Sequence, residues 1–521
     1  MVKYLDKNSG FNMWNASRNA AATEKKSPFS GLLWWVLIFV ASWWLIGTWM
    51  TPKAQPVATE EATVVEDLSA VPETHFTSDK IDAVVRGLRI NNVQLRDFKA
   101  SADGDAPVAL LSDDGDFVEF GLVSAGTSAP TATTVWKSND GAQTWRNGDG
   151  VEFRRTVSGD GYVLTVTDEI NNKSARPATF APYARIVRGT DNKSSAGVYT
   201  GAVAYANNDF DHRDWRKLDK KSYAYTTTNG YVGFADQYWE TVASIDSPDQ
   251  TLRVKKAGDK YQSDAAAGAV SVAPGETKTI TAHIYAGPRD GGILSSATKI
   301  PHLAKTVDYG WFGFLARPML WLLNMLNAIV MNYGIAIIIM TLLLRLAMWP
   351  LTRKSYTSMI AMQKMQPEMQ RIQKLYANDK MRMQMEMMRL YQTHKTSPMS
   401  GCLPMLIQIP IFFALYKALL ISVPMRGAHF LWIRDLAVMD PYFILPVLMG
   451  LTMFWQQRLQ TASTPTAGSD AMAQTQKFMK WMPVLFTVMF AWMPAGLVLY
   501  WTVSNLFGIG QMYIIKMKDK K

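Results

Sequence analysis

The sequence has very little cysteine and histidine, which excludes several kinds of site. Cys402 is the single cysteine in 521 residues, so neither an intramolecular disulfide nor a site with several thiolate ligands is possible within one chain. The chain has no H-E-x-x-H, G-x-S-x-G or P-loop motif, and residues 211–214, DHRD, are expected to form a solvated turn. We therefore expect neither an enzyme nor a metal or cofactor. The six histidines are scattered: His75, His212, His283, His302, His394 and His429.

Acidic residues are also scarce outside one part of the chain. Residues 51–330 hold 29 Lys and Arg against 34 Asp and Glu, whereas the whole chain has a formal charge of +11. The basic surplus therefore lies in the remaining residues, beside long apolar runs. In that position it indicates membrane topology, and no specific nucleic-acid site is predicted.

Residues 31–50 are the first predicted membrane helix. The run GLLWWVLIFVASWWLIGTWM has full bilayer length and follows a polar leader, residues 1–30. No small-x-small cleavage motif follows it, so an anchor with a cytoplasmic N-terminus is favoured over a cleaved signal peptide. Residues 51–73, rich in Pro, Ala, Thr and Glu, are expected to be a flexible tether.

Residues 74–302 have the texture of β-structure. VEFRRTV and YVLTVTDEI flank the turn residues 158–161, SGDG, which is a hairpin signal. Similar turn signals recur at 138–141, 228–230 and 273–275, and they predict one large antiparallel sandwich. Its aromatic side chains are expected to fill the core, although a carbohydrate or peptide cleft is the alternative: Trp136, Trp145, Tyr162, Trp215, Tyr238 and Trp239.

The rest of the chain is predicted to be mostly helical and membrane-bound. Residues 303–331 contain an amphipathic helix that is expected to lie in the membrane interface. Residues 332–521 form a core whose five membrane helices are predicted near 332–351, 402–423, 441–458, 481–493 and 496–515. With the anchor these make six transmembrane helices. Both termini are then cytoplasmic, and the acidic β domain lies outside.

Arg345 is the one full charge in the apolar run YGIAIIIMTLLLRLAMWPL, residues 333–351. An ionised side chain inside a span costs about 2.5–3.5 kcal/mol on insertion scales, so it normally faces protein or water. Arg345 is therefore a functional candidate. The alternative is that its side chain extends past Pro350 to the lipid headgroups.

Residues 352–400 form a basic loop with nine Lys and Arg against three acidic residues, which places it in the cytoplasm. Methionines recur at helical spacing and predict a helical hairpin. Their side chains either form an adaptable surface for apolar segments or hold the two helices together. They are Met362, Met365, Met369, Met381, Met385 and Met388.

Four motifs give the chain a family resemblance: TLLLRLAMWPLT at 341–352, GCLPMLIQIPIFFALYKAL at 401–419, ILPVLMGLTMF at 444–454 and MPAGLVLYWTVSN at 493–505. With the order of segments, they resemble the bacterial YidC type of the YidC/Oxa/Alb family of membrane protein insertases. The resemblance implies a membrane α-helical bundle plus an all-β periplasmic supersandwich domain, similar to carbohydrate-binding folds.

The resemblance also implies a hydrophilic groove within the bilayer, open to cytoplasm and lipid. By residue matching, Arg345 lies in it, with Thr341 beside it and Tyr500 and Trp501 as an aromatic pair. Some members have tyrosine at the position of Trp501, whose indole N–H can still donate. Further groove polarity is expected from Gln408, Gln456, Gln457 and Asn505, for which hydrogen bonds in helix packing are the alternative.

The function that the resemblance implies is an insertase and chaperone for inner-membrane proteins, alone or with the Sec translocon. Its expected partners are nascent membrane proteins, membrane lipids, and the ribosome or the signal recognition particle and its receptor. The alternative from the residues is a secondary transporter or channel for an anionic solute. Transporters of that kind usually contain internal repeats, and none is evident among these spans.

Overall fold

The structure is a computed structural model that describes residues 55–57, 68–101, 104–112, 115–139, 141–189, 198–394, 403–461 and 481–519. The predicted anchor at 31–50, most of the tether and most of the loop before Trp481 lie outside these residues. Within them, a β domain is followed by a helical region.

Twenty strands of the described residues form two antiparallel sheets. They are β1 Gln55–Val57, β2 Glu73–Thr77, β3 Ile81–Arg86, β4 Arg89–Lys99, β5 Pro107–Leu110, β6 Phe117–Ala125, β7 Lys137–Asn139, β8 Ala142–Arg146, β9 Val151–Asp160, β10 Val163–Asn172, β11 Ala178–Arg188, β12 Gly201–Ala206, β13 Asp209–Asp214, β14 Ser222–Thr227, β15 Tyr231–Ala235, β16 Trp239–Ile245, β17 Gln250–Ala257, β18 Lys260–Ala267, β19 Val270–Val272 and β20 Thr277–Pro288.

One sheet has the order β1-β14-β17-β18-β11-β6-β4-β3-β2, with β19 beside β11 and β5 beside β4. The other has the order β13-β12-β15-β16-β20-β10-β9-β8-β7. Buried side chains from both sheets form one continuous hydrophobic core, which includes Phe153, Phe180, Tyr205, Tyr231 and Tyr285. The predicted β sandwich is therefore confirmed.

The predicted hairpin is present between β9 and β10. Val163 pairs with Asp160, and Gly161 in the connecting turn has a φ of +59°. A positive φ favours glycine because a side chain with a Cβ is strained there.

Five of the six predicted core aromatics belong to the hydrophobic core or pack against it. Trp136, Tyr162 and Trp215 are buried, and Trp145 and Trp239 pack half-buried against the same core. These five side chains therefore fill space between the sheets.

One local expectation in the β domain is wrong. Residues 211–214 belong to the edge strand β13, where Arg213 Nη2 donates to Asp211 Oδ2 over 2.6 Å and both side chains are buried. The charged side chains of this segment suggested a solvated turn, but opposite charges that pair with each other can be buried. Residues 55–57 of the predicted tether form β1, which pairs with β14, because main-chain groups at a sheet edge can pair with almost any sequence. The tether itself stays a prediction.

The helices are α1 Trp215–Leu218, α2 Gly291–Ser296, α3 Gly313–Val330, α4 Tyr333–Ala347, α5 Trp349–Lys364, α6 Gln366–Leu375, α7 Lys380–Thr393, α8 Leu403–Ile421, α9 Ile444–Thr461, α10 Trp481–Phe490 and α11 Ala495–Asp519. Short 3₁₀ turns occur at Leu303–Thr306 and Val423–Met425. Buried side chains of α3, α4, α8, α9, α10 and α11 share a second hydrophobic core.

Helix α3 occupies the segment that was expected to lie in the interface. Among the described residues it is the one unbroken helix that is both long and apolar enough to cross a bilayer. One face packs into the helical core, whereas Phe314, Trp321 and Ile329 on the other are exposed. The exposed face is apolar, as is required for contact with lipid in either orientation.

The predicted helix at 332–351 is instead two helices. Helix α4 ends at Ala347, and the axis bends by 64° before α5. Pro350 explains the break, because its ring clashes with the carbonyl four residues earlier and it has no N–H to donate. Arg345 consequently lies in the last turn of α4.

The β domain contacts the helical region near the end of α8 and in the loop that follows. Gln237 Nε2 donates to the Leu420 carbonyl over 2.9 Å. Arg426 Nη1 donates to the Lys99 carbonyl over 2.6 Å, and its other terminal nitrogen donates to the carbonyl of Ala100. These contacts join the β domain to the C-terminal end of α8 and the loop that follows it.

Candidate functional site

The side chain of Arg345 points from α4 toward α11. Its Nε and Nη2 atoms donate to the Ser504 hydroxyl over 2.9 and 2.6 Å, and the side chain is half-buried. The guanidinium therefore faces protein instead of extending past Pro350. A cation in the last turn of a helix is also favoured by the helix dipole.

Ser504 was not among the residues singled out from the sequence. A serine in an apolar helix gives little signal, because its hydroxyl usually bonds to the carbonyl one turn earlier. The available signal was its spacing, since Ser504 follows Tyr500 by four residues and so lies on the same face of α11.

A second polar contact joins α8 to the same face of α11. Gln408 Nε2 donates to the Tyr500 hydroxyl over 2.7 Å, and Tyr500 is buried. Further along α11, Gln511 Nε2 donates to the Arg345 carbonyl over 3.3 Å. Helix α11 thus presents Tyr500, Ser504 and Gln511 to polar groups of α8 and α4.

Gly508 brings Gln456 of α9 into this arrangement. A Cβ built on Gly508 would lie 2.8 Å from Gln456 Nε2 and 3.7 Å from Arg345 Nη1. The Gln456 amide therefore packs closely against the Gly508 backbone, with Arg345 Nη1 nearby. A side chain at position 508 would displace the Gln456 amide.

The other predicted site residues have different surroundings. Thr341 is buried, and its hydroxyl donates to the Ile337 carbonyl of its own helix over 2.6 Å. Asn505 Nδ2 donates to Thr452 Oγ1 over 3.2 Å, and Gln457 is half-buried beside Gln456.

Trp501 lies in an aromatic cluster. Its ring centroid is 5.0 Å from that of Phe412, 5.3 Å from that of Phe490 and 6.1 Å from that of Phe486. Trp501 and Tyr500 are consecutive residues, so they point to different sides of α11. The structure thus groups Trp501 with apolar rings, whereas Tyr500 faces Gln408.

Arg345 is not neutralised within the part of the chain that the structure describes. Its side chain bonds to the uncharged hydroxyl of Ser504, and no acidic side chain of these residues forms an ion pair with it. A cation held by neutral groups in an apolar core keeps its attraction for an anion, and low polarity around it strengthens that attraction.

The predicted hairpin divides its methionines between two roles. Met362, Met365 and Met369 on α5, α6 and their junction are buried against α7. On α7, by contrast, Met381, Met385 and Met388 are 74%, 60% and 61% exposed. The first set holds the helices together, and the second forms an apolar stripe on the outer face of α7.

A two-sheet β domain joined to an apolar helical core, with a cation held between core helices, defines a membrane protein with a large domain outside the bilayer. Comparison with known families agrees: residues 73–322 match the YidC periplasmic domain, and residues 325–521 match the 60Kd inner membrane protein family. The chain belongs to the YidC family of membrane protein insertases.

Two sequence relatives of similar length support this assignment. The membrane protein insertase YidC of Magnetococcus marinus is 36% identical over 473 residues, which cover 85% of this chain and 83% of the relative. That of Geobacter sp. strain M21 is 40% identical over 422 residues, covering 78% and 76%. A crystal structure of an active YidC insertase with its first transmembrane domain resolved aligns at 18% identity and a TM-score of 0.38, covering 93% of this chain and 99% of that one.

Proposed function

We propose that this chain inserts proteins into the bacterial inner membrane and helps them to fold, alone or with the Sec translocon. The observation that carries the proposal is the Arg345 guanidinium, which Ser504 fixes between α4 and α11 without an acidic partner among the described residues. A positive charge so placed suits the transient attraction of an acidic substrate tail.

The energetic problem is the polar tail of a nascent membrane protein. The tail must cross about 30 Å of hydrocarbon, where a charged group is strongly disfavoured. A hydrophilic groove that contains Arg345, Tyr500, Gln408 and Gln456 lowers this barrier by offering hydrogen bonds on the way. Burial of the apolar segment in lipid then supplies about 25 cal/mol per Å² and drives the step to completion.

The exposed sides of α9 and α10 suit the apolar part of a substrate. Both helices leave large apolar side chains uncovered: Val447, Leu451, Phe454 and Trp455 on α9, and Val484, Leu485 and Val488 on α10. A substrate helix on this surface passes into lipid without crossing a polar barrier. This release requires no nucleotide and no chemical step, so the proposed activity is not enzymatic.

In the proposed topology, six membrane helices place both termini in the cytoplasm and the β domain in the periplasm. The basic hairpin α5–α7 is then cytoplasmic, which the positive-inside rule supports. The exposed methionines of α7 suit an initial contact with apolar segments of varied sequence. Ribosomes, the signal recognition particle and its receptor are the proposed partners of the basic surface.

The test is insertion of a one-span substrate with an acidic tail into proteoliposomes, followed by protease protection. Wild type is compared with Arg345→Ala and Arg345→Lys. We expect wild type and the lysine variant to insert the substrate and the alanine variant to fail, because the attraction needs a positive charge. Equal insertion by all three would show that the charge is dispensable. Failure of wild type, with flux of an anionic solute instead, would favour a transporter.

A further inference from the structure

We propose that the loop between α8 and α9, residues 422–443, is a membrane-contacting surface that is immersed in the outer leaflet of the inner membrane. The partner of its exposed apolar side chains is then the acyl-chain region of the lipids. This inference goes beyond the proposed function, because it concerns a connection between two predicted spans and involves no substrate.

The loop begins at the end of α8 that contacts the β domain. Arg426 donates hydrogen bonds to the main-chain carbonyls of Lys99 and Ala100 in that domain. At the other end of the loop, Phe443 directly precedes Ile444, the first residue of α9. Because the β domain matches the periplasmic domain of the family, the loop lies at the periplasmic ends of both helices.

The second half of the loop is held in a fixed conformation by hydrogen bonds. The Asp440 carboxyl is buried, and it accepts hydrogen bonds from Trp432 Nε1 over 3.2 Å and from the Leu445 amide over 2.7 Å. The amide of Ala495, the first residue of α11, donates to the Val438 carbonyl over 2.7 Å. The loop therefore presents its exposed side chains in a constant arrangement.

The side chains that the loop presents are mostly large and apolar. Five such side chains are exposed: Leu431, Val438, Met439, Tyr442 and Phe443. Between positions 431 and 443, Arg434 is the one exposed residue that carries a charge. Water disfavours such a surface, whereas the acyl-chain region accepts aliphatic side chains and the membrane interface accepts tyrosine.

Two of these exposed side chains are attached to strained backbone. Leu431 has a φ of +52° and Phe443 a φ of +55°, a region that bulky residues rarely adopt. Glycine or asparagine would adopt this conformation at a lower cost in free energy. Leu431 is also 73% exposed, so neither its backbone nor its side chain is favoured in water. The combination indicates a contact that compensates for both costs.

Continuity with neighbouring apolar surfaces favours lipid as the occupant. Met331, between α3 and α4, has a φ of +54° and is 88% exposed. The next residue, Asn332, donates through Nδ2 to the His429 carbonyl of the loop over 3.3 Å, so this connection adjoins the loop. On the other side, the loop leads into the exposed apolar face of α9, which includes Val447 and Leu451. A bilayer contacts all of these surfaces at once.

The test measures the depth of the loop in proteoliposomes. Single cysteines are introduced into a Cys402→Ser chain, which has no other cysteine, and are labelled with the fluorophore bimane. The loop variants are Leu431→Cys, Met439→Cys and Phe443→Cys. The label is quenched either by lipids that carry a doxyl group on the acyl chain near the headgroup, or by iodide present on both sides of the membrane.

Two control positions have nearly the same exposure. Val123→Cys in the β domain is the aqueous control, and Leu451→Cys in the middle of α9 is the lipid control; the two side chains are 61% and 60% exposed. Met439 has no positive φ, so Met439→Cys tests the loop without a change at a strained position.

We expect the labels in the loop to be quenched by doxyl lipid and protected from iodide. The ratio of doxyl quenching to iodide quenching should exceed that of Val123→Cys at least about fivefold, because an ion is strongly excluded from hydrocarbon. Iodide quenching as strong as that of Val123→Cys at the loop positions would place the loop in water and overturn the inference. Protection from both quenchers would also overturn it, since a second copy of the chain or another protein would then cover the loop. Neither readout depends on insertion, so a failure of the proposed function would leave this test unaffected.

Discussion

Lys417 Nζ lies 2.8 Å from Asp308 Oδ2, so a charge inside a predicted membrane helix is paired with a residue that precedes α3. The Lys417 side chain is only 13% exposed. Burial alone would raise the pKa of Asp308, but the charge of Lys417 and hydrogen bonds from Lys417 and the Gly310 amide outweigh it and hold this pKa below its ordinary value. The pair ties the outer end of α8 to the segment between the β domain and α3.

Asp308→Asn should loosen this connection. Lys417 would keep its charge but lose the ion pair with Asp308, which costs on the order of 1 kcal/mol for a pair that is partly exposed on the Asp308 side. Amide hydrogen exchange of residues 303–312 should therefore become about fivefold faster. Asp105→Asn, which removes a fully exposed pair with Lys99, is the control and should leave this exchange unchanged. Equal rates in wild type and Asp308→Asn would contradict a connecting role.

Ser504→Ala should weaken insertion without removing the charge of Arg345. The guanidinium loses both hydrogen bonds that fix its direction, and a bond to a charged group contributes about 1.5–3 kcal/mol. We expect about tenfold slower insertion of an acidic-tailed substrate in proteoliposomes, with Ser504→Thr close to wild type. The matched control is Thr502→Val, since the Thr502 hydroxyl donates to Val498 of its own helix. If Ser504→Ala inserted the substrate at the normal rate while Arg345→Ala was defective, groups other than Ser504 would position the arginine.

Glu240 in the β domain gives a pH-dependent prediction. Its carboxyl is fully buried on β16, and neither oxygen has a hydrogen-bond partner among the described residues. Burial raises its pKa to about 7, although the positive charge of Arg289, whose Nε lies 3.8 Å away, lowers it in part. In the folded protein, this carboxyl is therefore mostly neutral below about pH 7.

The sign of the pH effect follows from linkage. Because the pKa is higher in the folded than in the unfolded chain, the stabilising contribution is complete below the unfolded value near 4.5 and is lost as pH rises through about 7. Its size is on the order of 3 kcal/mol. Denaturant unfolding of the β domain within the full chain, at pH 5 and pH 8, should show this loss in wild type and not in Glu240→Gln. Glu73→Gln, at an exposed position, should lose as much stability between pH 5 and pH 8 as wild type does. An identical pH dependence of the unfolding free energy in all three proteins would refute the assignment of this effect to Glu240.

Features with a clear sequence period were predictable. The β9–β10 hairpin follows from alternation around a turn that contains Gly161, and the helical hairpin follows from methionines at helical spacing. Arg345 was detectable because a charge stands out in an apolar run. These signals are local, so they need no knowledge of the fold.

The partners of Arg345 were harder to predict because they are distant in the chain. Ser504 is 159 residues away, and Gln511, whose amide donates to the Arg345 carbonyl, is 166 residues away. The aromatic neighbours of Trp501 were also hard to predict, because its position along α11 decides them, and its proposed role as a donor in the groove stays a prediction. Pro350 is a cause of the bend before α5 that the sequence shows, but the sequence does not show the angle of the bend.

The two sets of methionines in the hairpin should respond differently to substitution. Met369→Ala removes a buried side chain between α6 and α7 and should destabilise the hairpin by about 2 kcal/mol or more, seen as faster amide exchange across residues 380–393. Replacement of Met381, Met385 and Met388 by Gln should leave that exchange nearly unchanged, because exposed positions contribute little to stability. The same triple variant should insert apolar substrates more slowly, since the stripe proposed to receive them has become polar. Normal insertion by the triple variant would show that α7 does not receive substrate. If Met369→Ala slowed insertion while the triple variant did not, the role of the hairpin would be purely structural.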